Sequence, residues 1–382
     1  MTYDFIVTGL GCAGMSFMYY LLDSELKHKK ILLIDNSKKI ENDRTWCYWA
    51  ENPLEIHPKN SPLIFWDLIN IIHKNEVCQK SLGPLKYYHI QSSDFYFEVL
   101  EKIKGFTNVT IVQDKVVEFE ENEKDQVTVK TLNSGNFIGK KILNSILPFS
   151  ENKGELMLKQ VFLGWKIKSP KNAFDHRSAT LMDFPASDSS QTEFFYILPF
   201  SETEALVEYT IYTQNSIETS VMEAKLTQYI QQHLGIDQFE TVFKEQGIIP
   251  MTTNKLSKAK FQNIIPIGTL AGCTKPSTGF TFYDIQKHCK DIVLQLVRNQ
   301  SNLKFDWKRK NRFTFYDNIL LNIAVKWPKE LPSIFKEMFE KNNGESILYF
   351  LNEESTFLNE VKILGSLKFK IFIKSVLQYE RH

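Results

Sequence analysis

A chain of 382 residues is long enough for two domains, or for one large domain with an insertion. At 43% hydrophobic and 24% charged it has a globular rather than a disordered composition. The formal net charge of +1 removes the electrostatic case for a nucleic-acid partner.

Cys12, Cys47, Cys78, Cys273 and Cys289 are odd in number and scattered. They argue against a disulfide framework or a zinc site, and for a reducing compartment. The histidines show no H-x-x-x-H spacing, so no metal is expected. Without a run of about 18 apolar residues, no membrane-spanning segment is expected. The start reads as a strand rather than a signal peptide.

In chain order, Tyr3 to Thr8 reads as a short apolar strand. "GLGCAG" follows, with Gly9, Gly11 and Gly14 in G-x-G-x-x-G spacing and Cys12 and Ala13 between the last two. "MSFMYYLLDSEL" has helical apolar spacing, and Lys30 to Asp35 reads as a second buried strand. Asp35 stands about 20 residues past the last glycine, the spacing of a dinucleotide-binding unit. Gly9 makes the tight turn, Gly11 lets backbone approach a pyrophosphate, and Gly14 allows helix and strand to pack closely. The helix N-terminus would hold phosphate, and Asp35 would accept from a ribose diol. Arg44, just after this unit, is placed either to reach the cofactor or to form a surface salt bridge.

A mixed region with a helix from Asp94 to Lys104 comes next. From Asn108, alternating residues through "VTIVQDKVVEFEENEKDQVTVKTLNSGNFIGKKIL" read as an antiparallel meander with a polar tip at "ENEKD", returning to the cofactor sheet. Residues 156–245 are strand-rich. There, "FSETEALVEYTIYT" (Phe200 to Thr213) alternates, sending Leu206, Glu208, Thr210 and Tyr212 to one face. A carboxylate in that pattern fits a solvated strand face, or a desolvated acid with a raised pKa. A second glycine cluster, "IIPIGTLAGCTKPSTGFTF" (Ile264 to Phe282), holds Gly268, Thr269, Gly272, Thr278 and Gly279. It reads as a strand, a turn and a helix opening at Thr278-Gly279. Two such turns far apart suggest one long cofactor, and lean to FAD over NAD. Residues 301–382 read as mostly helical.

The chain resembles the FAD-dependent lycopene β-cyclases, within the geranylgeranyl-reductase and aromatic-hydroxylase flavoproteins. The resemblance runs end to end, through "GLGCAG", "NDRTWCYW", "YYHIQSSDFY", "FLGWKI", "FFYILPFSETEALVEYT", "GIIPMT", "KPSTGFTF" and "RFTFYDNILL". It departs at "LNSILP" around Asn144, where related flavoproteins often carry an Asp-x-Arg-Gly turn. Thr269 replaces an acid usual in the superfamily, as is normal for cyclases.

The resemblance implies an α/β fold. A discontinuous Rossmann-type FAD-binding domain (1–155 and 246–300) would carry a strand-rich antiparallel substrate domain (156–245) and a helical C-terminal region (301–382). It implies that Glu208 is the acid that protonates an acyclic ψ-end of lycopene or a related acyclic carotenoid to form β-rings. It also implies that the reaction is non-redox yet needs FAD reduced by NAD(P)H, with the flavin's role as cation stabiliser or proton relay left open. Aromatic faces stabilise cations, and the candidates are Trp165, Phe194, Phe195, Tyr196 and Phe280. Asp183 would orient a partner of Glu208 or be structural. Cys47 reads as packing. An apolar substrate implies a peripheral contact with the inner face of a membrane, from the cytoplasmic side. Val361 to Leu377, with Lys362, Lys368, Lys370 and Lys374, suits an interfacial helix or one docked on the core. A reductase or monooxygenase of the same fold is the alternative, and a flavin-binding carotenoid carrier a third reading. Oligomeric state is not legible.

Overall fold

A computed structural model describes residues 2–122, 126–147, 157–185, 190–256, 262–298 and 305–382. The chain opens with β1 (Thr2–Thr8), α1 (Cys12–Leu22) and β2 (Ile31–Asp35). The helix begins inside the glycine motif and ends earlier than its apolar spacing suggested. Every residue of α1 and β2 is buried, because α1 is covered by other helices and β2 is a central parallel strand.

The chain continues through β3 (Thr45–Ala50), β4 (Ile64–Trp66), β5 (Leu68–His73), β6 (Glu76–Ser81), β7 (Lys86–Gln91) and α2 (Ser92–Lys104). Next come β8 (Val109–Gln113), β9 (Val116–Asn122), β10 (Gln126–Thr131) and β11 (Asn136–Asn144). The first sheet runs β8-β2-β1-β11-β10-β9. Strands β8, β2, β1 and β11 are parallel, so Val109–Gln113, expected as the start of an antiparallel meander, pairs with β2 instead; only β9 to β11 form the antiparallel part, whose polar tip falls largely outside the described residues. A small sheet, β3-β7-β4, packs Trp46, Tyr48, Phe65 and Tyr88 into the core with α1 and α2, and Trp49, Trp66 and Tyr87 into a second core.

The second large sheet is built from β12 (Lys159–Lys168), β13 (Ser178–Phe184), β14 (Thr192–Pro199), β15 (Glu204–Thr213) and β16 (Glu240–Pro250), with α3 (Thr219–Gln228) between the last two. Its order is β16-β12-β15-β14-β13-β5-β6. It therefore recruits β5 and β6 from residues the sequence reading grouped with the cofactor domain. Parallel pairing of β5 with β13, from Leu68 opposite Ser178 to His73 opposite Phe184, is the reason. Strand β15 begins at Glu204 rather than Phe200, since Phe200 and Ser201 turn back to bond the Glu204 carbonyl.

The chain then returns to the first sheet through β17 (Ile264–Pro266), parallel to β11, and α4 (Phe282–Arg298). Thr278 and Gly279 lie in the turn before α4 rather than in its first turn. The C-terminal region is α5 (Asn311–Lys326), α6 (Leu331–Lys341), α7 (Gly344–Leu351), α8 (Phe357–Gly365) and α9 (Phe369–Leu377). These helices share one apolar core with the second sheet, where Phe335 of α6 stacks on Phe184 of β13. Among the described residues no helix is long and apolar enough to cross a membrane.

A buried ion network ties this helical region to the second glycine turn. Lys275 lies 3.0 Å from Asp317 and 3.1 Å from Glu353, and Arg309 lies 2.6 Å from Glu353. Ser277 donates to Asp317 at 2.6 Å. Removing one member leaves an uncompensated buried charge, which costs about 3–5 kcal/mol. Asp317→Ala is therefore expected to lower the denaturant midpoint by a stability loss of about that size. An unchanged midpoint would remove the network from the account of the fold.

Candidate active site

A cavity of about 450 Å³ runs from the first glycine turn to β15. At one end it is bordered by Gly11, Cys12 and the second turn (Thr269 and Thr278 to Phe282). Arg44 to Cys47, and Phe335, Met338 and Phe339 of α6, also line it.

The glycine turns fit a dinucleotide. Gly9 has φ +85°, and a Cβ on Gly14 would sit 2.1 Å from the Gly9 carbonyl oxygen, so only glycine lets α1 approach the turn. A Cβ on Gly268 would meet the Cβ of Ala13 at 2.7 Å, so the two turns touch directly. By contrast no atom lies within 4 Å of where a Gly11 Cβ would be, and that open space faces the cavity. Gly272, at φ +86°, closes the short turn at Gly268–Ala271. The Thr278 hydroxyl and the Gln160 Oε1 are buried without a hydrogen-bond partner among the described residues, and both residues line the cavity.

Asp35 is held differently from expectation. Its carboxylate accepts from Leu10 N at 2.6 Å and Ser37 N at 2.8 Å, which engages it with the turn's own backbone. Lys39, Asp43 and Arg44 border the cavity on that side. Arg44 donates to the Asp43 carbonyl. Around Asn144 the divergent turn is structural. Asn144 Oδ1 accepts from Thr8 and from Ile146 N, and Ser145 donates to the Gly9 carbonyl.

At the other end, register places Glu208 of β15 opposite Gly164 of β12 and Tyr196 of β14. Glu208 accepts from Thr210 at 2.7 Å, and the surface it exposes faces the cavity rather than bulk water. Burial pushes its carboxyl up to about 8, helped by the negative charge of Glu245 and opposed by the Thr210 bond. Tyr196 belongs to a chain of polar groups beside it. Tyr87 and Tyr196 hydroxyls are 2.7 Å apart, and Tyr196 donates to Cys47 Sγ at 3.3 Å. Burial raises Cys47 to about 12, so its thiol is no nucleophile near neutral pH.

The lycopene cyclase protein family model matches residues 4–378. The chain belongs to this family. A lycopene beta-cyclase of Pantoea ananas is 25% identical over 288 residues, covering 73% of this chain and 71% of its own. The fold is shared with a flavoprotein/dehydrogenase of Cytophaga hutchinsonii (TM-score 0.64, 11% identity, 99% of each chain). It is also shared with a geranylgeranyl bacteriochlorophyll reductase-like protein of Thermoplasma acidophilum (TM-score 0.62, 13% identity, 99% of this chain and 98% of that one).

Of the aromatic candidates for a cyclase cation site, Phe194, Tyr196 and Phe280 line the cavity, and Phe280 packs edge-on against Trp49 at 4.5 Å. Trp165, Phe195 and Asp183 are not brought there. Strand alternation turns Trp165 and Phe195 to the other face, into the core under α3. Phe195 stacks on Tyr229 at 3.6 Å, and Tyr229 donates to Asp183 at 2.5 Å. Burial raises the Asp183 carboxyl despite that bond and a contact with His233. Glu245 was missed by sequence reading. Its only signal was its place two residues before "GIIPMT", in step with Gly247 on the cavity face of β16. Among the described residues no cluster of side chains is arranged to hold a metal ion.

The two kinds of glycine in one motif separate experimentally. Gly14→Ala is expected to lower the melting temperature sharply, because its Cβ collides with backbone. Gly11→Ala should melt like the parent yet retain less dinucleotide after gel filtration. Equal behaviour of the two variants would mean that the open space at Gly11 is not a cofactor cradle.

Proposed function

We propose that the chain is a lycopene β-cyclase that closes the acyclic ψ-ends of lycopene, or of related acyclic carotenoids, into β-rings. The observation that carries the reading is Glu208, a buried acid with a raised pKa on the edge of a mainly apolar cavity lined by aromatic side chains. Membership of the lycopene cyclase family supports the substrate class.

Both glycine turns, with the open space at Gly11 and the unpartnered Thr278 and Gln160, suit FAD. Gly9, Gly11, Gly14, Arg44, Thr269, Thr278 and Gly279 would hold it. Reduced FAD, maintained by NAD(P)H, would supply an electron-rich ring next to developing positive charge. The protein's own groups do the rest. Glu208 gives its proton to the terminal alkene carbon, a very weak base, which demands an undissociated acid in a water-poor site. The cation closes a six-membered ring, and a proton leaves a ring carbon to form the new double bond. The faces of Phe194, Tyr196 and Phe280 stabilise the cation.

We place the protein peripherally on the cytoplasmic side of a membrane. The outward face of α8 and α9 carries Phe357, Leu358, Phe369, Ile373 and Leu377, with Leu358 and Leu377 each 80% exposed. Lys374 sits over Trp327 and Lys368 pairs with Glu337, so the basic heads flank apolar side chains that suit a bilayer surface.

Glu208→Gln should keep fold and flavin but lose cyclisation by about 10²-fold or more, the usual worth of a general acid. The parent rate should fall as pH rises past about 8, where Glu208 loses its proton. Lycopene conversion and flavin content of both proteins test this, and a variant that retains more than about a tenth of the rate would sink the assignment. Nicotinamide oxidised per ring, counted without oxygen, separates the cyclase from a reductase. The expected ratio is far below one, and a steady one-to-one ratio would favour reduction.

A further inference from the structure

Strand β12 has no side chain at Gly164, and the register puts a carboxylate on each side of that gap. Glu208 of β15 and Glu245 of β16 are both its partners. A Cβ added at Gly164 would come within 3.4 Å of the Glu208 Cβ and of the Glu245 Cγ. The two acids therefore flank one empty position on the cavity face of the sheet. Glu245 is 5% exposed. Its Oε2 accepts from the backbone N–H of Thr45 at 2.8 Å, while its Oε1 is buried with no partner among the described residues.

We propose that Glu245 is the charge partner of Glu208, the two carboxyls holding one proton between them across Gly164. This rests on the reading of Glu208 as the ring-forming acid. Two carboxylates in one dry site cannot both ionise cheaply, so the pair titrates as a unit. The environment decides which member keeps the proton. Burial raises the Glu245 carboxyl too, to about 7, but the Thr45 amide and the nearby positive charge of Arg44 oppose that rise, against the smaller effect of Asp43, and keep it below Glu208. Glu208 has only the Thr210 hydroxyl, with Tyr196, Tyr87 and Cys47 neutral around it and apolar Phe335, Met338 and Phe339 opposite. The nearest cation on β12, Lys166, is engaged with Glu204 at 2.6 Å, and Lys39 lies by Asp35 and Asp43. Glu208 is therefore the protonated member. When it gives its proton to the alkene carbon, two adjacent anions remain. That repulsion draws the proton released by the new ring back to the pair, so acid and partner are restored after each turnover. Glu245 is thus a positioning residue that acts through Glu208.

Infrared titration of the protonated-carboxyl band in the flavin-loaded protein tests this without relying on turnover. The parent should show a buried protonated carboxyl surviving through neutral pH and titrating in two steps. In Glu245→Gln the remaining band, lost in Glu208→Gln, should titrate at least one pH unit lower. The alkaline limb of the cyclisation profile should move down with it, leaving near-parent rates at acidic pH. Glu245→Asp, which keeps the charge, should restore the parent limb. Should Glu245→Gln fail to fold, Glu208→Gln reports on the same coupling, because Glu245 alone should titrate in one step below the parent's upper step. Unshifted titration in these variants, or a rate lowered equally at every pH, overturns the pair. A parent protein that shows the coupled titration but forms no ring from lycopene overturns the cyclase reading instead.

Discussion

A carboxylic acid that must hold its proton in neutral water has to be taken out of that water, and most of this architecture answers that requirement. Glu208 sits in the middle of an antiparallel sheet, with β12 on one side and β14 on the other. Leu206 on the same face, Phe194 and Tyr196 of the neighbouring strand, and Phe335 and Phe339 of α6 make the cavity it faces mainly apolar. Desolvation alone raises the acid, and the neighbouring carboxylate reinforces it. Apolar walls also suit an acyclic hydrocarbon chain, so under the proposed function one set of side chains would serve both binding and acidity.

The two glycine turns meet at the opposite end of the same cavity. Contact between Gly268 and Ala13 brings two turns of distant sequence within van der Waals distance. A single large cofactor spanning both turns would lie with one end near the acid.

Local patterns made much of this legible. The G-x-G-x-x-G unit, the alternation that put Leu206 and Glu208 on one face, and the helical C-terminal region all follow from period and turn chemistry. Facing was legible only where a partner strand was known. Trp165 and Phe195 stand in the same motifs as Tyr196 but point under α3, because a one-residue step along a strand reverses the side. Glu245 was invisible for the same reason, since its importance arises from sharing Gly164 with a strand of distant sequence. The recruitment of β5 and β6 to the second sheet is a long-range pairing that no local signal carries. Asp35 met its spacing expectation, yet its bond to Leu10 N depends on how the turn closes.

The Lys275 network gives the cavity a mechanical property. Asp317 lies on α5 and Glu353 just beyond α7, within the same helical region whose α6 lines the cavity, while Lys275 belongs to the loop carrying Thr278 and Gly279. Buried charges tolerate little separation, so this loop is tied to α5 and to the end of α7 by ions as well as by apolar packing. Pulling that loop away from α5 would strand a buried charge on each side, a cost of about 3–5 kcal/mol.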